Sequence, residues 1–576
     1  MISIERSFFE KFPSLAQGPA RVFSQPVVEA LRAVACEARI NRTLEEFSSL
    51  SGFAFVERVL EWFEVSYRVT PQDLENIPAE GGVVIVANHP LGAIDALTLL
   101  HLVGSVRRDV RIIANDVLAQ FASLSDLLLP VDVFANKRAS PSRLRDAYRA
   151  LKSGQALIVF PAGEVSRIAP HGIRDRRWST GFVRMARHTQ VPVLPVHIDA
   201  HNSATFYGVS MLARPLATLL LPREMFGAAR SQPRLVVGDM IEPAALGVAS
   251  APEVAQRVQR HLYRIGKGRD GLFPTSRAIA RAESPLLIRN ALRRAETLGT
   301  VGDGKKVLLV DVDADCPVLR EVGRLRELSF RRVGEGTGAR RDTDRFDLHY
   351  RHLILWDEQA LSIMGAYRLG EGERLVSAHG VEGFYSSTLF DYAPPAADFL
   401  AKGVELGRSF IQPAYWNSRS LDYLWLGIGA YLRERPQVRY LFGPVSLSAR
   451  LPVAAREWIA HFHLHYFGNP DGLATARHGV TLSASVAEQA SRLWCGQDLK
   501  SAQQLLKKQL AQMNCQLPTL YKHYVELCEP DGVRFLAFGR DPGFSDCVDG
   551  LIRLDLSRMR PAKRERYLHR PQRLTS

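Results

Sequence analysis

Cysteine is scarce in this chain of 576 residues, and long apolar runs are missing. The six cysteines lie far apart, and no C-x-x-C pair occurs. A disulfide framework or a zinc site is therefore not predicted, and a reducing cytosol is the expected compartment. No stretch reaches the ~18 apolar residues that would cross a bilayer. The first ten residues mix acids and bases around no apolar core, so we expect no signal peptide.

Acidic residues are in the minority. Lysine and arginine number 74 against 60 aspartates and glutamates, which gives a net charge of +14. Such a chain is attracted to nucleic acid, acidic lipid or an acidic carrier protein. Because the sequence contains no nucleic-acid-binding motif, we expect lipid and carrier protein as partners and no nucleic acid. The hydrophobic share of 46% is typical of folded domains and excludes disorder as a description of the whole.

Helical and strand patterns divide the chain into segments. Residues 1–80 carry apolar residues at helical spacing, and their aromatic side chains fit either a core or a lipid headgroup layer. From residue 81 to 265, short apolar runs alternate with helical patterns, which is typical of an α/β layer domain with buried, mostly parallel strands. Glycine-rich residues 266–306 are predicted to be a linker. A second α/β pattern covers 307–556, and the basic residues 557–576 are predicted to be a flexible tail.

A histidine and an aspartate follow the first of these strands. The apolar run Val83–Ala87 leads into N-H-P-L-G-A-I-D, which places His89 at the carboxyl end of a strand, where α/β sheets carry their sites. A carboxylate such as Asp95 that holds Nδ1–H of a histidine leaves Nε2 able to take a proton from a hydroxyl. Since the motif contains no nucleophilic serine or cysteine, it predicts direct attack by a substrate hydroxyl. The alternative is a structural histidine in a tight turn, with Asp95 as a helix cap.

A second strand end, at residues 160–167, carries proline, glycine and a positive charge. Backbone N–H groups exposed around Pro161 and Gly163 can bind an anion, and Arg167 adds a fixed cation. An ordinary βα turn is the alternative interpretation.

Taken together, N-H-P-x-G-x-x-D and, about 70 residues on, F-P-x-G-E-x-S resemble the glycerolipid and lysophospholipid acyltransferase family. The resemblance covers roughly residues 80–245. It implies an O-acyltransferase domain at 81–265, with His89 and Asp95 as the catalytic pair. It also implies these substrate-binding residues: Asn88, Gly92, Phe160, Pro161, Gly163, Glu164, Ser166 and Arg167.

The sequence departs from the family pattern in both segments. Five residues separate His89 from Asp95 where the family has four, and Gly92 can absorb the extra residue. Val165 stands where the family has an arginine that helps to hold glycerol phosphate. We therefore expect an acceptor without a phosphate, and the extra carboxylate of Glu164 would suit an ammonium group.

Three aspartates crowd one segment of the second half: Asp342, Asp344 and Asp347. Carboxylates so close repel one another unless a cation lies among them. That cation is either the amino group of a substrate, whose proton must be removed before it attacks a thioester, or a basic residue such as Arg326 or Arg368. The same crowding also fits a solvated acidic loop or an incomplete metal site.

The arginines, spaced acids and Gly-x-x-Arg-Leu of residues 326–369 resemble the acyl-homoserine-lactone synthases. Residues 307–556 resemble more closely the ornithine N-acyltransferases, often labelled hemolysin-like. The resemblance implies a GNAT-like α/β domain that moves an acyl chain to an amino group. The loop with which GNAT enzymes hold the pyrophosphate of coenzyme A is not obvious, which favours an acyl carrier protein thioester as donor. The family pattern implies substrate-binding roles for Arg326, Asp344, Asp347, Arg368, Glu405 and Arg408.

Two acyltransferase halves in this order resemble the bifunctional ornithine-lipid synthases. That resemblance implies N-acylation of ornithine with a 3-hydroxyacyl group from acyl carrier protein, followed by O-acylation of the 3-hydroxyl of the lyso-aminolipid. We expect no metal and no other cofactor, and a peripheral location on the anionic cytoplasmic face of the bacterial inner membrane.

Two further functions stay open: a lysophospholipid acyltransferase fused to an N-acyltransferase of another substrate, and an inactive membrane-associated scaffold. The sequence does not decide between ornithine, lysine and glutamine as the amino acid.

Overall fold

The computed structural model describes residues 5, 9, 19–34, 36–114, 122–130, 141–169, 172–212, 221, 223–224, 232–468 and 470–569. The chain forms two compact units, Met1–Ala280 and Arg281–Ser576. Each unit is built around its own sheet.

Helices and strands of the first unit follow one another in this order: α1 (Pro19–Val34), α2 (Glu37–Glu46), α3 (Gly52–Trp62), α4 (Pro71–Glu75), β1 (Val83–Ala87), α5 (Ala93–Gly104), β2 (Val110–Ala114), β3 (Leu128–Pro130), α6 (Pro141–Lys152), β4 (Ala156–Val159), β5 (Arg167–Ala169), β6 (Gly172–Arg174), α7 (Gly181–Thr189), β7 (Val193–Asp199), α8 (Ala204–Leu212), β8 (Arg234–Val237) and α9 (Ala251–Ile265).

The sheet of the first unit has six strands in the order β3-β2-β4-β1-β7-β8. Strand β1 lies between β4 and β7 and pairs with both in parallel. All five residues of β1 are buried, and successive side chains enter two different apolar clusters, one on each face of the sheet. The predicted α/β layer architecture is confirmed. Because β1 and β4 are parallel neighbours, the segments that follow them meet at one edge of the sheet.

The helical residues before β1 pack on one face of this sheet. Phe47, Phe55 and Phe63 are buried in the same apolar cluster as Val83 and Ile85. Of the two interpretations of these aromatic residues, a protein core is therefore the one that the structure shows for these three side chains.

Helices and strands of the second unit are α10 (Pro285–Leu292), β9 (Glu296–Val301), β10 (Lys305–Val310), α11 (Pro317–Val333), β11 (Arg351–Asp357), β12 (Ser362–Glu371), α12 (Gly372–His379), β13 (Phe390–Tyr392), α13 (Ala397–Ala401), β14 (Gly403–Ile411), α14 (Ser420–Arg433), β15 (Tyr440–Leu447), α15 (Val453–Phe467), β16 (Ala474–Ala476), α16 (Ala484–Trp494), α17 (Leu499–Gln512), α18 (Thr519–Val525), β17 (Val533–Asp541), β18 (Cys547–Asp555) and α19 (Pro561–Arg564).

The sheet of the second unit has eight strands in the order β17-β18-β15-β14-β12-β11-β10-β9. Its neighbouring strands are antiparallel except β14 and β15, which are parallel. The pairing of β14 with β15 covers three residues on each strand, Gly403–Glu405 and Tyr440–Phe442. Beyond that point the two strands diverge, while each continues to pair with its other neighbour.

Two predicted boundaries are wrong. Residues 266–306 are not a linker: Phe273 and Ala278 are buried in the first unit, and α10 with strand β9 belongs to the second. The glycines of this segment are misleading because Gly302–Gly304 form the turn of the β9–β10 hairpin. Residues 557–569 are not a flexible tail, since Tyr567 is buried against α14. Residues 570–576 lie outside the described part of the chain.

Within the described part of the chain, none of the helices combines the length and the apolar character that crossing a bilayer requires.

Candidate active sites

The first candidate site lies where β1 ends. Nδ1 of His89 is 3.0 Å from Oδ2 of Asp95, and the same oxygen accepts hydrogen bonds from the backbone N–H groups of Leu91 and Gly92. Burial raises the pKa of the Asp95 carboxyl, and the hydrogen bonds from His89 and the two N–H groups oppose that shift. A carboxylate fixed in this way holds the imidazole in the tautomer that carries its proton on Nδ1.

The other face of the site comes from the end of β4. The His89 ring stacks on Phe160 with 4.2 Å between ring centroids. Its Nε2 has no hydrogen-bond partner among the described residues, and 17% of the side chain is exposed. The predicted pairing of His89 with Asp95 at the carboxyl edge of the sheet is therefore present in the structure. Chemically, Nε2 is placed to take a proton from a hydroxyl group.

Asn88 and Gly92 hold the loop in shape around the histidine. The Asn88 side-chain amide exchanges two hydrogen bonds with the backbone of Ile198 on β7, at 2.8 and 2.7 Å. Gly92 precedes α5 with a φ of +82°, a conformation that favours glycine. Both residues therefore position the loop.

Asp175 is a positioning residue that sequence reasoning missed. Its Oδ1 accepts a 3.1 Å hydrogen bond from the backbone N–H of His89 and another from the Ser166 hydroxyl, while Oδ2 accepts from Trp178 Nε1 at 2.9 Å. The backbone N–H of Ser166 in turn donates to the carbonyl oxygen of His89 at 2.8 Å. Ser166 and Asp175 thus join the two predicted segments.

Charged residues follow Phe160 at the rim of this site. Glu164 lies 3.4 Å from Nε of Arg167 and 3.0 Å from Arg176. Arg167 also donates to the hydroxyl of Ser210 on α8. The carboxylate expected to suit an ammonium group therefore already has two guanidinium partners, and the three charges together are net positive. Pro161 and Gly163 lie in the turn between Phe160 and Glu164. The carbonyl oxygen of Pro161 accepts a hydrogen bond from the backbone N–H of Ser179.

The second candidate site contains the crowded aspartates. Each has an arginine partner: Asp342 lies 3.2 Å from Arg408, Asp344 2.6 Å from Arg368, and Asp347 2.7 Å from Arg326. The arginines come from three elements, α11 for Arg326, β12 for Arg368 and β14 for Arg408. The cations that the sequence requires are thus supplied by the protein itself.

Asp344 is more exposed to solvent than Asp342 and Asp347. Asp342 and Asp347 are 2% and 0% exposed as residues, whereas the side chain of Asp344 is 25% exposed. Of the three aspartates, Asp344 is therefore the one whose side chain a ligand can reach from solvent. A contact with an amino substrate stays a prediction for this residue alone among the three.

Arg408 lies on a bulge of β14. Between the pairs Ala366–Phe410 and Arg368–Gly407, β14 has two residues where β12 has one, and Arg408 has a φ of +47°. Left-handed backbone in a non-glycine residue costs of order 1–3 kcal/mol and is held here by the surroundings. The guanidinium lies 4.6 Å from the ring centroids of both Tyr385 and Phe544 and pairs with Asp342.

Glu405 precedes this bulge, and both of its carboxylate oxygens accept hydrogen bonds. One oxygen accepts from the Tyr350 hydroxyl and from the backbone N–H of Tyr385 at 3.1 Å, and the other accepts from the N–H of Ser386 at 2.9 Å. The residue is 1% exposed. Its carboxylate fastens the 384–388 turn to the sheet.

A cleft opens where β14 and β15 diverge. Gly443 stands at the parting point with a φ of +151°, and a Cβ there would lie 2.2 Å from the carbonyl oxygen of Leu406. The cleft encloses about 90 Å³. Its apolar wall comes from Leu406, Val445, Tyr524 and Phe544, and its polar wall from Glu335, Arg408, Ser446 and Asp549.

Sequence reasoning missed the two acids of this cleft. Glu335 belongs to the G-E-G-T-G segment and Asp549 to the D-G-L-I segment, both of which are visible in the sequence. Nothing in their spacing indicates that they meet, because 213 residues lie between them.

Comparison with known proteins agrees with this arrangement. Residues 6–269 match the acyltransferase family, and residues 325–426 match the acetyltransferase (GNAT) domain. The chain is 30% identical over 207 residues to a lyso-glycine lipid O-acyltransferase of Bacteroides thetaiotaomicron, a match that covers 35% of this chain and 75% of that protein. The chain belongs to the acyltransferases. The expected order, with an acyltransferase domain first and a GNAT domain second, is confirmed.

Two N-acyltransferases are also similar to this acyltransferase. A glycine N(alpha)-acyltransferase of Phocaeicola vulgatus is 28% identical over 267 residues, 44% of this chain and 81% of that protein. An L-ornithine N(alpha)-acyltransferase of Brucella abortus is 33% identical over 157 residues, 24% of this chain and 53% of that protein.

Proposed function

We propose that this acyltransferase makes an amino-acid lipid in two steps. The GNAT domain transfers a 3-hydroxyacyl group to the α-amino group of an amino acid, and the acyltransferase domain then acylates the 3-hydroxyl. One observation carries the proposal: the chain holds a His–Asp site and a GNAT domain together, and it resembles both an O-acyltransferase and N-acyltransferases of amino-acid lipids.

The proposed O-acyl transfer uses His89 as general base. Its Nε2 takes the proton of the 3-hydroxyl, and the oxygen attacks the carbonyl carbon of the acyl thioester. The new C–O bond forms as the C–S bond breaks. The leaving thiolate then takes from His89 the proton that came from the hydroxyl. Asp95 stabilises the imidazolium while it exists.

The acceptor of this step carries a carboxylate in our proposal. An N-acyl amino acid has no phosphate but keeps the carboxylate of the amino acid. Arg167 and Arg176 outweigh Glu164 at the rim of the site and offer that carboxylate a positive surface. The same rim would also attract a phosphate, which is why the lysophospholipid alternative needs a direct test.

Ornithine is the amino acid that we propose first, with acyl carrier protein as the donor of the thioester. Glycine is the second candidate, because a glycine N(alpha)-acyltransferase is among the relatives. The net charge of +14 supports an acidic carrier protein as partner.

We also propose that the chain binds peripherally to the anionic cytoplasmic face of the bacterial inner membrane. An exposed hairpin of the first unit supports this: Ile168 on β5 pairs with Ile173 on β6, and they are 51% and 38% exposed. Met211 on α8 is 74% exposed. Exposed apolar side chains on a chain with a net charge of +14 suit an anionic lipid surface.

The test is the lipid content of a bacterial host that makes no aminolipid, with and without the full chain. Ninhydrin staining and mass spectrometry of the extract identify the amino acid and count the acyl chains. We expect a new diacylated ornithine lipid. A glycine lipid would decide for the second candidate. No new aminolipid, together with acylation of lysophosphatidate by the purified chain, would favour the lysophospholipid alternative. Absence of both activities would favour the scaffold.

A further inference from the structure

The N-acyl transfer needs a group that removes a proton from the substrate ammonium before the nitrogen can attack a thioester. In the described structure, the acids that the family pattern implies are not available for this. Both oxygens of Glu405 accept hydrogen bonds from the protein. Asp342 and Asp347 are buried in ion pairs with arginines. Asp344 is partly exposed, but its carboxylate is already held in an ion pair with Arg368 at 2.6 Å.

The cleft between the diverging strands is the place where an acyl thioester fits. Past Glu405 and Phe442, β14 and β15 no longer pair with each other in the described structure, and the two strand edges face each other across the cleft. A thioester arm that contains amides can pair with such strand edges, as added strands do. The apolar side chains Leu406, Val445 and Phe544 line the same cleft.

Two carboxyl groups enter this cleft from opposite elements. Glu335 follows the end of α11, where its backbone N–H donates to the carbonyl oxygen of Phe330, and it lines the cleft opposite Ser446 of β15. Asp549 lies on β18 and is 4% exposed. The one hydrogen bond to its side chain in the described structure is a long contact of 3.8 Å from the Cys547 thiol. A carboxyl group that is buried with so little hydrogen bonding leaves acceptor capacity for a ligand.

We propose that Glu335 accepts the proton of the amino substrate in this cleft and that Asp549 holds the ammonium group beside it. The proposal rests on the N-acyltransferase function proposed above and names two substrate-contacting residues for it.

Electrostatics support these roles. Burial raises the pKa of Glu335 to about 7, against the opposing effects of Ser446 and Arg408. Burial, together with the charges of Asp541 and Glu335, raises the pKa of Asp549 to about 8, and a bound ammonium group would favour its ionised form. A general base works best when its pKa lies near the working pH. The titratable and charged groups that face the pair are Arg408 on β14, Asp541 on β17, Cys547 on β18, Tyr521 on α18 and Tyr385 in the 384–388 turn.

The proposed step balances as follows. The ammonium group enters between the two carboxylates, and one of its protons passes to Glu335. The free amine attacks the carbonyl carbon of the thioester, the C–N bond forms, and the C–S bond breaks. The departing thiolate takes the second proton from nitrogen and leaves as a thiol. Glu335 then releases its proton to solvent.

The experiment measures N-acylation by the full purified chain, with a 3-hydroxyacyl thioester of acyl carrier protein and radiolabelled ornithine or glycine, between pH 6 and 9.5. For wild type, we expect kcat/KM to rise with pH and level off above about 8, once Glu335 and Asp549 have both lost their protons. Glu335→Gln should lower kcat/KM at pH 7 by about 10²–10⁴ and remove that inflection. Its rate should then keep rising with pH, because it depends on substrate amine that is already free.

Further variants separate this role from a structural one. Glu335→Asp should restore part of the rate together with the inflection. Asp549→Asn should raise the KM of the amino acid about tenfold or more and leave the KM of the thioester nearly unchanged. The matched control is Glu488→Gln, which removes an exposed acid of the same domain that pairs with Arg492 and should change none of these values. Melting curves of all variants show whether the fold is kept.

The inference would be overturned if the wild type is active and Glu335→Gln keeps the wild-type pH inflection with kcat/KM within threefold. Loss of activity in Glu335→Gln with the inflection retained in the residual rate would also overturn it. A wild-type chain that acylates no amino acid would overturn both the proposed function and this inference, so the two failures are distinguishable.

Discussion

The backbone N–H of His89 donates a 3.1 Å hydrogen bond to Oδ1 of Asp175, which lies 86 residues further along the chain. Asp175 is 8% exposed and also binds Trp178 and Ser166. One buried carboxylate thus sets the position of the histidine loop from outside the predicted motifs.

Asp175→Asn should disturb that loop, because the amide nitrogen would face the N–H donor of Trp178. A donor left unsatisfied in a buried place costs about 1–3 kcal/mol. We expect a lower melting temperature and slower O-acylation, with N-acylation nearly unchanged. Adding Trp178→Phe removes the opposed donor and should recover part of the stability. The exposed Asp146, which pairs with Arg149, offers Asp146→Asn as a control. An equal loss of both reactions would contradict the local role of Asp175.

His89→Ala should stop the second acylation and leave the first intact. The reason is that the proton acceptor of the hydroxyl is removed, while the GNAT domain keeps its own site. Loss of a general base costs about 10²–10⁴ in rate. Mass spectrometry of lipid extracts should therefore show the mono-acylated amino acid in place of the diacylated product. His188→Ala, which truncates an exposed histidine of the same domain, should keep the wild-type lipid pattern. If His89→Ala makes no mono-acylated product either, the proposed division of work is wrong.

The sequence predicts local arrangements well and distant ones poorly in this chain. His89 and Asp95 lie within one strand-to-helix turn, so their pairing follows from the short spacing. Asp175 could not be predicted as a partner of His89, because the tertiary fold brings it there across 86 residues.

The acid cluster shows the same limit. The close spacing of the three aspartates requires a neighbouring positive charge. Whether a substrate or an arginine supplies that charge depends on where α11, β12 and β14 pack. The glycines near residue 302 predict a linker, but in the structure they form a tight hairpin turn. The sequence does not separate the two, because hairpin turns and linkers are both rich in glycine.

Replacing the exposed isoleucines of the β5–β6 hairpin should weaken membrane binding. Burying an isoleucine side chain in lipid gives about 1.5–3 kcal/mol when complete, so Ile168→Ser with Ile173→Ser should lower vesicle affinity at least tenfold. Binding to vesicles that contain anionic lipid is measured by co-sedimentation at low and high salt. High salt should loosen the charge-dependent part, to which each basic residue near the surface contributes about 1 kcal/mol.

The control for this prediction is Val248→Ser, since Val248 is a fully exposed apolar residue of the same unit outside the hairpin. It should bind vesicles as wild type does. Unchanged binding of the double isoleucine variant would show that another surface contacts the lipid.

Asp347→Asn should destabilise the GNAT domain more than any exposed acid does. Asp347 is buried between two buried arginines, with Arg326 at 2.7 Å and Arg368 at 3.2 Å. Removing one partner from a buried ion pair leaves an uncompensated charge and costs about 3–5 kcal/mol. Asp391→Asn, at an exposed site that pairs with Arg477, is the control and should cost less than about 1 kcal/mol.

The pH dependence of the Asp347 effect follows from the direction of its pKa. Burial opposes ionisation of Asp347, but the charges of Arg326 and Arg368 outweigh it and hold its pKa below the ordinary range. A carboxyl whose folded pKa is lowered contributes stability that is fully present above its unfolded pKa of about 3.9 and is lost as the pH falls towards the folded value. The gap in melting temperature between wild type and Asp347→Asn should therefore be constant from pH 6 to 8 and narrow below about pH 4. A gap that widens in acid would show that Asp347 is not held ionised by its arginines.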